Sequence, residues 1–246
     1  MTLIKDGLVS SKNLADRISQ IIGASVVSGE LRPGTGFITE AEISEKYGIS
    51  RNVAREAVKI LSGKGLVYSR QKKGIQATDA SSWNWFDEDI LNWAINHSNQ
   101  LSIQLELTEL RLAIEPEASA MAAMDHSQED LRLIESCVER LEGAIKNPQI
   151  FEQADIDFHL SIVDACQNRF YRKFSSILRR TLQVSVPYTH DINQATTFIQ
   201  KAQEHKDVFL CIKRRQATEA RMQMRAMLEK DLMRIKDQLN RQEIVA

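Results

Sequence analysis

The chain has 246 residues, 43% of them hydrophobic and 26% charged, which is enough to bury the core of one large domain or two ordinary ones. No apolar run approaches the roughly 18 residues of a membrane span, and the amino terminus lacks the apolar core of a signal peptide, so we expect a cytoplasmic protein with no membrane partner. The formal net charge is -1, but residues 1–79 carry twelve Lys and Arg against eight Asp and Glu, and the remainder carries twenty against twenty-five. Two parts with different partners are therefore indicated.

The first predicted elements along the chain are three short helices. Residues 13–28 place apolar side chains on one helical stripe that ends at a Gly-rich break. Thr39 with Glu42 three positions later has the spacing of a capping box, so we expect a second helix to follow and to end at Gly48. A third helix begins near Arg51. Two short helices around a tight turn that contains glycine are typical of a helix-turn-helix.

The third helix has two chemically different faces. At about 100° per residue, one arc contains Arg51, Asn52, Arg55 and Lys59, and the opposite arc is apolar, with Val53, Ala54, Ala57, Ile60 and Leu61. The second helix of a helix-turn-helix enters the major groove of DNA, where the fork of an arginine can hold guanine O6 and N7 together. The alternative interpretation of such a helix, taken alone, is an ordinary solvated surface.

A β-hairpin is predicted directly after the third helix. The segment 66–78 contains two short strand-like runs on either side of Gln71-Lys72-Lys73-Gly74, so the hairpin has a basic tip. Such a tip can reach the flanking DNA backbone or the minor groove. The helix spacing, the capping box and the basic hairpin together favour a winged helix-turn-helix that binds DNA over a solvated helix.

Residues 13–78 resemble the DNA-binding domain of GntR-family bacterial transcription regulators. The matching residues are the Ser-Gly-Glu-Leu-Arg-Pro-Gly run at 28–34, Ile49 to Arg51, Arg55 to Ala57 and Gly65 to Val67. The resemblance implies that Arg51 and Arg55 make the main contacts with operator DNA. It adds supporting contacts from their neighbours and from the wing, namely Ser50, Asn52, Lys72, Lys73 and Gly74.

After a short polar joint at 79–82, the pattern is helical to the end of the chain. Apolar periodicity and breaks predict seven antiparallel helices near 86–96, 101–124, 128–146, 149–167, 169–184, 195–213 and 216–239. The predicted fold is mainly α, with an amino-terminal winged helix-turn-helix and small β-hairpin in residues 1–79 and an all-α antiparallel bundle in residues 80–246. Bundles build ligand sites in their interiors from facing helices.

A few polar side chains fall among the apolar positions of these helices. Asp155 and His159 are four residues apart and share a face, which suits two ligands of one metal but also a core histidine bonded to a carboxylate. His205 is a second candidate on another helix. Arg111 lies one turn before Glu115, which suits either a structural ion pair or a clamp for the carboxylate of an effector.

The region 86–235 resembles the FCD effector domain of the FadR subfamily, through Glu109 to Arg111, Glu115-Pro116, Asp155 to His159, Gln167-Asn168 and Glu204-His205. The resemblance implies a divalent metal held by one Asp and three His, and a small carboxylic acid bound against it. It assigns Asp155, His159 and His205 as metal ligands, and the same three residues with Arg111 as effector contacts. The fourth ligand position holds Met227, whose soft thioether suits such ions poorly, so a three-coordinate site and an empty site both remain open.

The tryptophan segment, made up of Trp83, Asn84, Asp87, Asp89, Leu91 and Trp93, resembles regulators of sugar-acid catabolism, and we expect its tryptophans to pack the joint between the domains. We therefore predict a homodimeric, ligand-responsive repressor that binds the operator of a sugar-acid or related carboxylate operon until its effector releases it.

The alternative function is a metal-assisted hydrolase or lyase that acts on a small carboxylic acid. The chain contains no Gly-rich phosphate loop, no HExxH and no nucleophile elbow, so we expect that it is not an enzyme. A nonspecific nucleoid protein is disfavoured by the acidic second part of the chain.

Overall fold

The computed structural model describes residues 11–33, 39–70, 74–97, 100–184 and 194–245. Within these ranges it contains eleven α-helices and one two-stranded antiparallel sheet, so the mainly α class with a small hairpin is confirmed. The elements are α1 (Ser11–Val27), α2 (Glu40–Tyr47), α3 (Arg51–Gly63), β1 (Val67–Arg70), β2 (Gly74–Ala77), α4 (Glu88–His97), α5 (Gln100–Asp125), α6 (Gln128–Gly143), α7 (Pro148–Ala165), α8 (Arg169–Arg172), α9 (Ser175–Val184), α10 (Gln194–Lys213) and α11 (Ala217–Val245). None of the described helices combines the length and the apolar character needed to cross a membrane.

The chain folds as two compact units, Met1–Gln100 and Leu101–Ala246. The first unit contains α1 to α4 and the hairpin, and the second contains α5 to α11. This division lies later than residue 79 because α4 packs on α1. The functional limits of 1–79 and 80–246 remain a prediction about the roles of the two parts.

Side-chain caps fix the ends of the two helices in the helix-turn-helix. At the start of α2, Thr39 Oγ1 accepts a hydrogen bond from the Glu42 backbone N–H at 3.1 Å, and Glu42 Oε2 accepts one from the Thr39 N–H at 2.7 Å. This confirms the predicted capping box. The helix ends at Gly48, whose φ of 62° is the left-handed conformation that glycine adopts most easily.

The end of α3 is clamped to the start of α4 by the tryptophan segment. Lys64 Nζ lies 2.7 Å from Asp87 Oδ1 and 2.8 Å from Asp89 Oδ2, and the Lys64 carbonyl accepts a hydrogen bond from the Asn84 N–H at 2.9 Å. Burial would lower the pKa of Lys64, but its contacts with Asp87 and Asp89 outweigh burial and raise that pKa. The ammonium and both carboxylates therefore stabilise each other. We call this group the Lys64 clasp.

Trp93 of α4 packs directly on the backbone of α1. A Cβ atom placed on Gly23 would lie 2.4 Å from the Trp93 ring, so only glycine leaves room for the ring at this position. Leu91 and Trp93 are both buried. These contacts of the tryptophan segment are therefore made within the first unit.

The second unit is built around a core of buried aromatic and aliphatic side chains. Phe151 of α7 stacks on Phe198 of α10, with ring centroids 4.1 Å apart and an angle of 3° between the ring planes. α7 also packs against α6 and α9, and α10 against α6 and α11. These helices thereby bring their buried polar side chains into one interior.

The predicted helix at 169–184 is wrong in one respect, because the structure divides it into α8 and α9. Asn168 caps α8 by accepting a hydrogen bond from the Phe170 N–H at 2.9 Å. The Ser175 hydroxyl donates to the Arg172 carbonyl at 2.7 Å, a local bond that competes with continued helix. At the other end of the unit, α11 extends to Val245, beyond the predicted end at 239.

Substitution of Gly65 tests how closely residues 82–89 approach the end of α3. Its φ is 79°, and an added Cβ would lie 2.1 Å from the Ser82 carbonyl oxygen, so Gly65→Ala should destabilise the first unit by about 3 kcal/mol. Gly63→Ala is the matched control, because no atom lies within 4 Å of its added Cβ, and it should change the free energy of unfolding by less than about 1 kcal/mol. Urea denaturation followed by circular dichroism measures both. Similar effects of the two substitutions would contradict the close approach.

Candidate functional site

The amino-terminal end of α3 presents polar and basic side chains to solvent. Arg51, Asn52 and Arg55 are exposed, whereas the opposite face buries Val53, Ala54, Ala57, Val58 and Leu61. Ile60 was predicted to be buried but is only half-buried, because its position on the helix lies at the edge of the buried face. Ser50 is the N-cap, since its hydroxyl accepts a hydrogen bond from the Val53 N–H at 3.3 Å.

The two arginines of this face have different surroundings. Arg55 Nε lies 3.5 Å from Glu40 Oε2, and the two side chains are 60% and 38% exposed. An exposed ion pair of this kind stabilises a protein by only about 0–1 kcal/mol, so Arg55 can exchange Glu40 for a phosphate or a base. Arg51 forms no ion pair with any residue in the described part of the chain. Neither guanidinium is therefore committed to the core.

The predicted hairpin forms next to this face. Tyr68 lies opposite Gln76, and its hydroxyl donates a hydrogen bond to Gln76 Oε1 at 2.6 Å. Gly74 begins β2 with a φ of 74°, a conformation that favours glycine. Lys72 and Lys73 lie outside the described residues, so their contact with DNA stays a prediction.

Polar side chains of the second unit, five of them buried and two half-buried, meet at one place between α5, α7, α10 and α11. On three of these helices they come in pairs spaced by four residues, so that both members share a face. The group, which we call the interior cluster, consists of Arg111, Glu115, Asp155, His159, Lys201, His205 and Asp231. The structure thus brings together all four predicted effector contacts.

Arg111, Glu115 and His159 form the first half of the interior cluster. Arg111 Nε donates a hydrogen bond to Glu115 Oε1 at 2.6 Å, and Glu115 Oε2 contacts His159 Nδ1. Burial alone would raise the pKa of Glu115, but the Arg111 guanidinium and His159 outweigh it and lower that pKa to about 2. Arg111 Nη2 lies 3.3 Å from His159 Nε2, whereas Arg111 Nη1 donates to no residue that the structure describes. The ion pair between Arg111 and Glu115 that the spacing predicted is present. It leaves Nη1 of the guanidinium without a hydrogen-bond partner among the described residues.

Asp155 and His205 form the second half. His205 Nδ1 lies 2.7 Å from the Lys201 carbonyl oxygen. His205 Nε2 lies 2.9 Å from Asp155 Oδ1, but the two atoms are not aligned as a hydrogen bond. Burial would raise the pKa of Asp155, and its contact with His205 and the charge of Lys201 instead hold that pKa far below its usual range. Asp155, whose side chain is 15% exposed, is therefore a carboxylate anion.

The hydrogen bonds of both histidines fit a metal site. A carbonyl and an ionised carboxylate only accept, so Nδ1 of each ring donates to them and Nε2 is the atom that could bind an ion. Arg111 Nη2, 3.3 Å from His159 Nε2, would have to give up this contact before His159 could bind an ion. The ligand atoms of Asp155, His159 and His205 all lie within 4.8 Å of one another. A divalent ion with three protein ligands and open positions suits this arrangement. Met227 is buried on α11 but has no atom suited to such an ion.

Sequence analysis missed Lys201 and Asp231. Lys201 is 3% exposed, and its Nζ lies 3.2 Å from Asp231 Oδ1. Burial would raise the pKa of Asp231, but Lys201 and Arg111 outweigh it and lower that pKa. Helical spacing in the sequence could have identified both residues, because Lys201 lies one turn before His205 and Asp231 lies one turn after Met227.

A small cavity adjoins the interior cluster. Its volume is about 20 Å³, close to that needed by one water molecule. Arg111 and Glu115 are among its lining residues, and the other lining residues are apolar, namely Leu107, Leu110, Ile114, Val163, Phe174, Ile177 and Leu178. A ligand larger than water must therefore widen this space to reach Arg111.

Both parts of the chain match known families. The family described as FCD domain matches residues 106–230, and the bacterial regulatory proteins of the gntR family match residues 14–76. The chain is a GntR-family transcription regulator with an FCD domain. Such regulators bind operator DNA through the first domain and an effector in the second, so the predicted DNA-binding, ligand-responsive function is confirmed.

Relatives with a known function support the same conclusion. The galactonate operon transcriptional repressor of Escherichia coli strain K12 is 27% identical over 92% of this chain and 98% of its own length. The Uxu operon regulator of Haemophilus influenzae is 26% identical over 87% of this chain and 78% of its own length. These relatives are transcription regulators and not enzymes, which confirms that the hydrolase or lyase alternative does not apply.

Solved structures show the same fold. A GntR protein of Streptococcus agalactiae has a TM-score of 0.51 at 20% identity, covering 91% of this chain and 99% of its own. A structure titled "Lar controls the expression of the Listeria monocytogenes agr system and mediates virulence" has a TM-score of 0.58 at 16% identity, covering 95% and 99%. At these identities the likeness concerns the fold alone.

Glu115 is expected to be essential for the stability of the second unit. Glu115→Gln leaves the Arg111 guanidinium buried without its counter-charge and should destabilise the regulator by about 3–5 kcal/mol at pH 7. Glu117→Gln is the matched control on the same helix, because Glu117 and its partner Arg221 are 43% and 36% exposed. An exposed pair of this kind stabilises the folded protein by less than about 1 kcal/mol, so the control should lose no more than that. Urea denaturation measures both.

The pH dependence follows from the lowered pKa of Glu115. A carboxyl whose folded pKa lies at about 2 rather than 4.5 stabilises the fold above pH 4.5 and loses this contribution as pH falls toward 2. The stability difference between the parent regulator and Glu115→Gln should shrink over that range. A difference that stays constant between pH 5 and pH 3, or a Glu117→Gln variant that is equally unstable, would contradict the buried pair.

Proposed function

We propose that this regulator is a homodimeric repressor of an operon for the catabolism of a sugar acid or related carboxylate, and that its effector releases it from the operator. The observation that carries the proposal is Arg111, which is buried, lines a cavity, and has an Nη1 that donates to no described residue. Buried donors of a guanidinium suit a carboxylate. The names of the galactonate and Uxu operon regulators support a sugar acid as the carboxylate.

DNA recognition is assigned to the exposed face at the start of α3. Arg51 and Arg55 would contact base edges or phosphates in the major groove, with Ser50 and Asn52 beside them. The wing, with Gly74, Lys72 and Lys73, would add contacts to the flanking backbone. One such domain covers a single half-site, so two copies in a symmetric dimer give both affinity and recognition of a palindrome.

Effector recognition is assigned to Arg111, Asp155, His159 and His205. Arg111 Nη1 would bind the effector carboxylate. Asp155, His159 and His205 would hold a divalent ion, which as a Lewis acid fixes oxygen atoms of a bound hydroxy acid. Glu115 orients both Arg111 and His159 by accepting hydrogen bonds from them.

Release from DNA requires that the effector bind one arrangement of the regulator more tightly than the other. The cavity beside Arg111 has a volume of about 20 Å³, so a sugar acid would require its lining side chains on α5 and α9 to move apart. The arrangement with the small cavity is then the effector-free one. The binding energy of the effector is the source of the shift.

Operator binding should depend on Arg51. Arg51→Ala should weaken binding about 10- to 100-fold, because each bidentate arginine contact is worth about 1–3 kcal/mol of discrimination. Lys59→Ala is the matched control, since Lys59 lies two turns further along the exposed face and pairs with Glu56 at 2.7 Å. Fluorescence anisotropy with an operator fragment selected from genomic DNA measures both affinities. An unchanged affinity for Arg51→Ala would remove α3 from the recognition of DNA.

Effector binding should depend on the fork of Arg111. D-galactonate should release the operator fragment, and Arg111→Lys should lower its affinity at least about tenfold in calorimetry, because an ammonium keeps the charge but loses the planar donors. Arg221→Lys, in an exposed ion pair with Glu117, is the control and should leave the affinity unchanged. Equal D-galactonate affinity in both variants would dismiss Arg111 as the clamp. Failure of every aldonic and uronic acid to release the operator would dismiss the sugar-acid proposal.

A further inference from the structure

The three cations along the exposed face of α3 are not equally available to DNA. Arg51, Arg55 and Lys59 follow each other at intervals of one helical turn, and all three side chains are exposed. Lys59 Nζ lies 2.7 Å from Glu56 Oε1, and Arg55 Nε lies 3.5 Å from Glu40 Oε2, whereas Arg51 has no ion pair among the described residues. The face therefore holds less free positive charge than the number of its basic residues indicates.

Glu40 is placed beside Arg55 by the first turn of α2. It is the first residue of that helix, and α2 packs against α3. The capping box fixes this turn and uses the carboxylate of Glu42, which accepts a hydrogen bond from the Thr39 N–H at 2.7 Å. The amino-terminal end of a helix also favours a negative side chain. The fold thus holds the Glu40 carboxylate next to the exposed face of α3.

The pair with Glu40 leaves the outer nitrogens of Arg55 accessible. The Arg55 side chain is 60% exposed, and Glu40 approaches its inner nitrogen, Nε. Nη1 and Nη2 donate hydrogen bonds to no residue that the structure describes. Two N–H groups of one guanidinium are sufficient to hold guanine O6 and N7 together. Arg55 can therefore contact a base edge in the major groove while Glu40 stays beside it.

Glu40 affects a phosphate contact more than a base contact. The attraction between an arginine and a phosphate depends on their net charges, whereas a guanine edge is neutral and is held by hydrogen bonds. A phosphate bound to Arg55 would contact the same guanidinium as Glu40, so the two anions would lie well within the Debye length of about 10 Å at 0.1 M salt. Their repulsion persists even if Arg55 exchanges Glu40 for the phosphate, because the first turn of α2 keeps Glu40 nearby.

We propose that Glu40 is a specificity-determining residue of this regulator, because it lowers the affinity of Arg55 for phosphates and leaves its fork for a guanine. The inference rests on the proposed function, since it takes Arg55 as a DNA contact. Phosphates occur in every DNA sequence, whereas a guanine in the right position occurs only in the operator. Glu40 thus raises the ratio of operator affinity to affinity for other DNA by a repulsion that acts on the wrong partner.

The substitution Glu40→Gln tests the proposal, because it removes the charge and keeps the shape of the side chain. Fluorescence anisotropy compares binding of the full-length regulator to an operator fragment selected from genomic DNA and to a shuffled fragment of the same length and base composition. Glu40→Gln should bind the shuffled fragment at least about threefold more tightly than the parent, with a slope of log affinity against log salt that is steeper by up to about one. The ratio of operator to shuffled affinity should fall at least about threefold.

Glu45→Gln is the matched control. It removes the same charge from an exposed position of the same helix, where no ion pair with a described residue is lost. Any change in the general attraction to DNA should then apply to both fragments equally and leave the ratio of affinities as in the parent. Circular dichroism checks the fold of each variant, and because Glu40 and Arg55 are both exposed, their substitution should not unfold the first unit.

An Arg55→Ala background separates the action of Glu40 on Arg55 from a purely structural role. The effect of Glu40→Gln on the ratio should disappear in that background, because the arginine on which the charge acts is absent. An equal fall in both backgrounds, or a fall in the parent no larger than that of Glu45→Gln, would overturn the inference and leave the proposed function intact. If Arg55→Ala itself leaves operator affinity unchanged, the assignment of Arg55 to DNA in the proposed function fails first.

Discussion

The compensation of buried charge is the constraint on which the effector domain depends. Arg111, Glu115 and Lys201 are almost completely buried, and each would cost several kcal/mol if its partner were removed. Their partners lie on different helices or one turn away, so the pairs are satisfied only when α5, α7, α10 and α11 converge correctly. Apolar side chains such as Phe151 supply the driving force for packing, but they tolerate small shifts. The polar contacts are directional and therefore fix where the helices meet.

The same chemistry serves opposite purposes in the two units. Arg55 and Glu40 are 3.5 Å apart in an exposed ion pair, whereas Arg111 and Glu115 are 2.6 Å apart and inaccessible to water. Water screens the first pair, so it stabilises the fold little and its arginine can exchange Glu40 for another anion. The second pair persists because no solvent competes for it. Burial, more than the identity of the residues, therefore decides how firmly each arginine is held by its glutamate.

Helical periodicity explains what could be predicted from the sequence and what could not. The exposed face of Arg51 and the shared face of Asp155 and His159 follow from local spacing, and so does the capping box at Thr39. The contact of Glu115 with His159 and that of Lys201 with Asp231 join residues on different helices, and no local period encodes which helices will face each other. At the division of 169–184, the Ser175 hydroxyl donates to the Arg172 carbonyl, and apolar periodicity gives no sign of such a contact.

The connection between the two units bears on how an effector could influence DNA binding. A ligand changes DNA affinity only through a difference in free energy between two arrangements, and a long flexible linker would dissipate the positional difference between them. In this regulator, the Lys64 clasp ties the start of α4 to the end of α3, and Trp93 fixes α4 to α1. Only two residues separate α4 from α5, which carries Arg111. Within the first unit, α4 is therefore held to α3 by ion pairs and to α1 by packing, so any displacement of α4 would have to break these contacts or be passed on to α3.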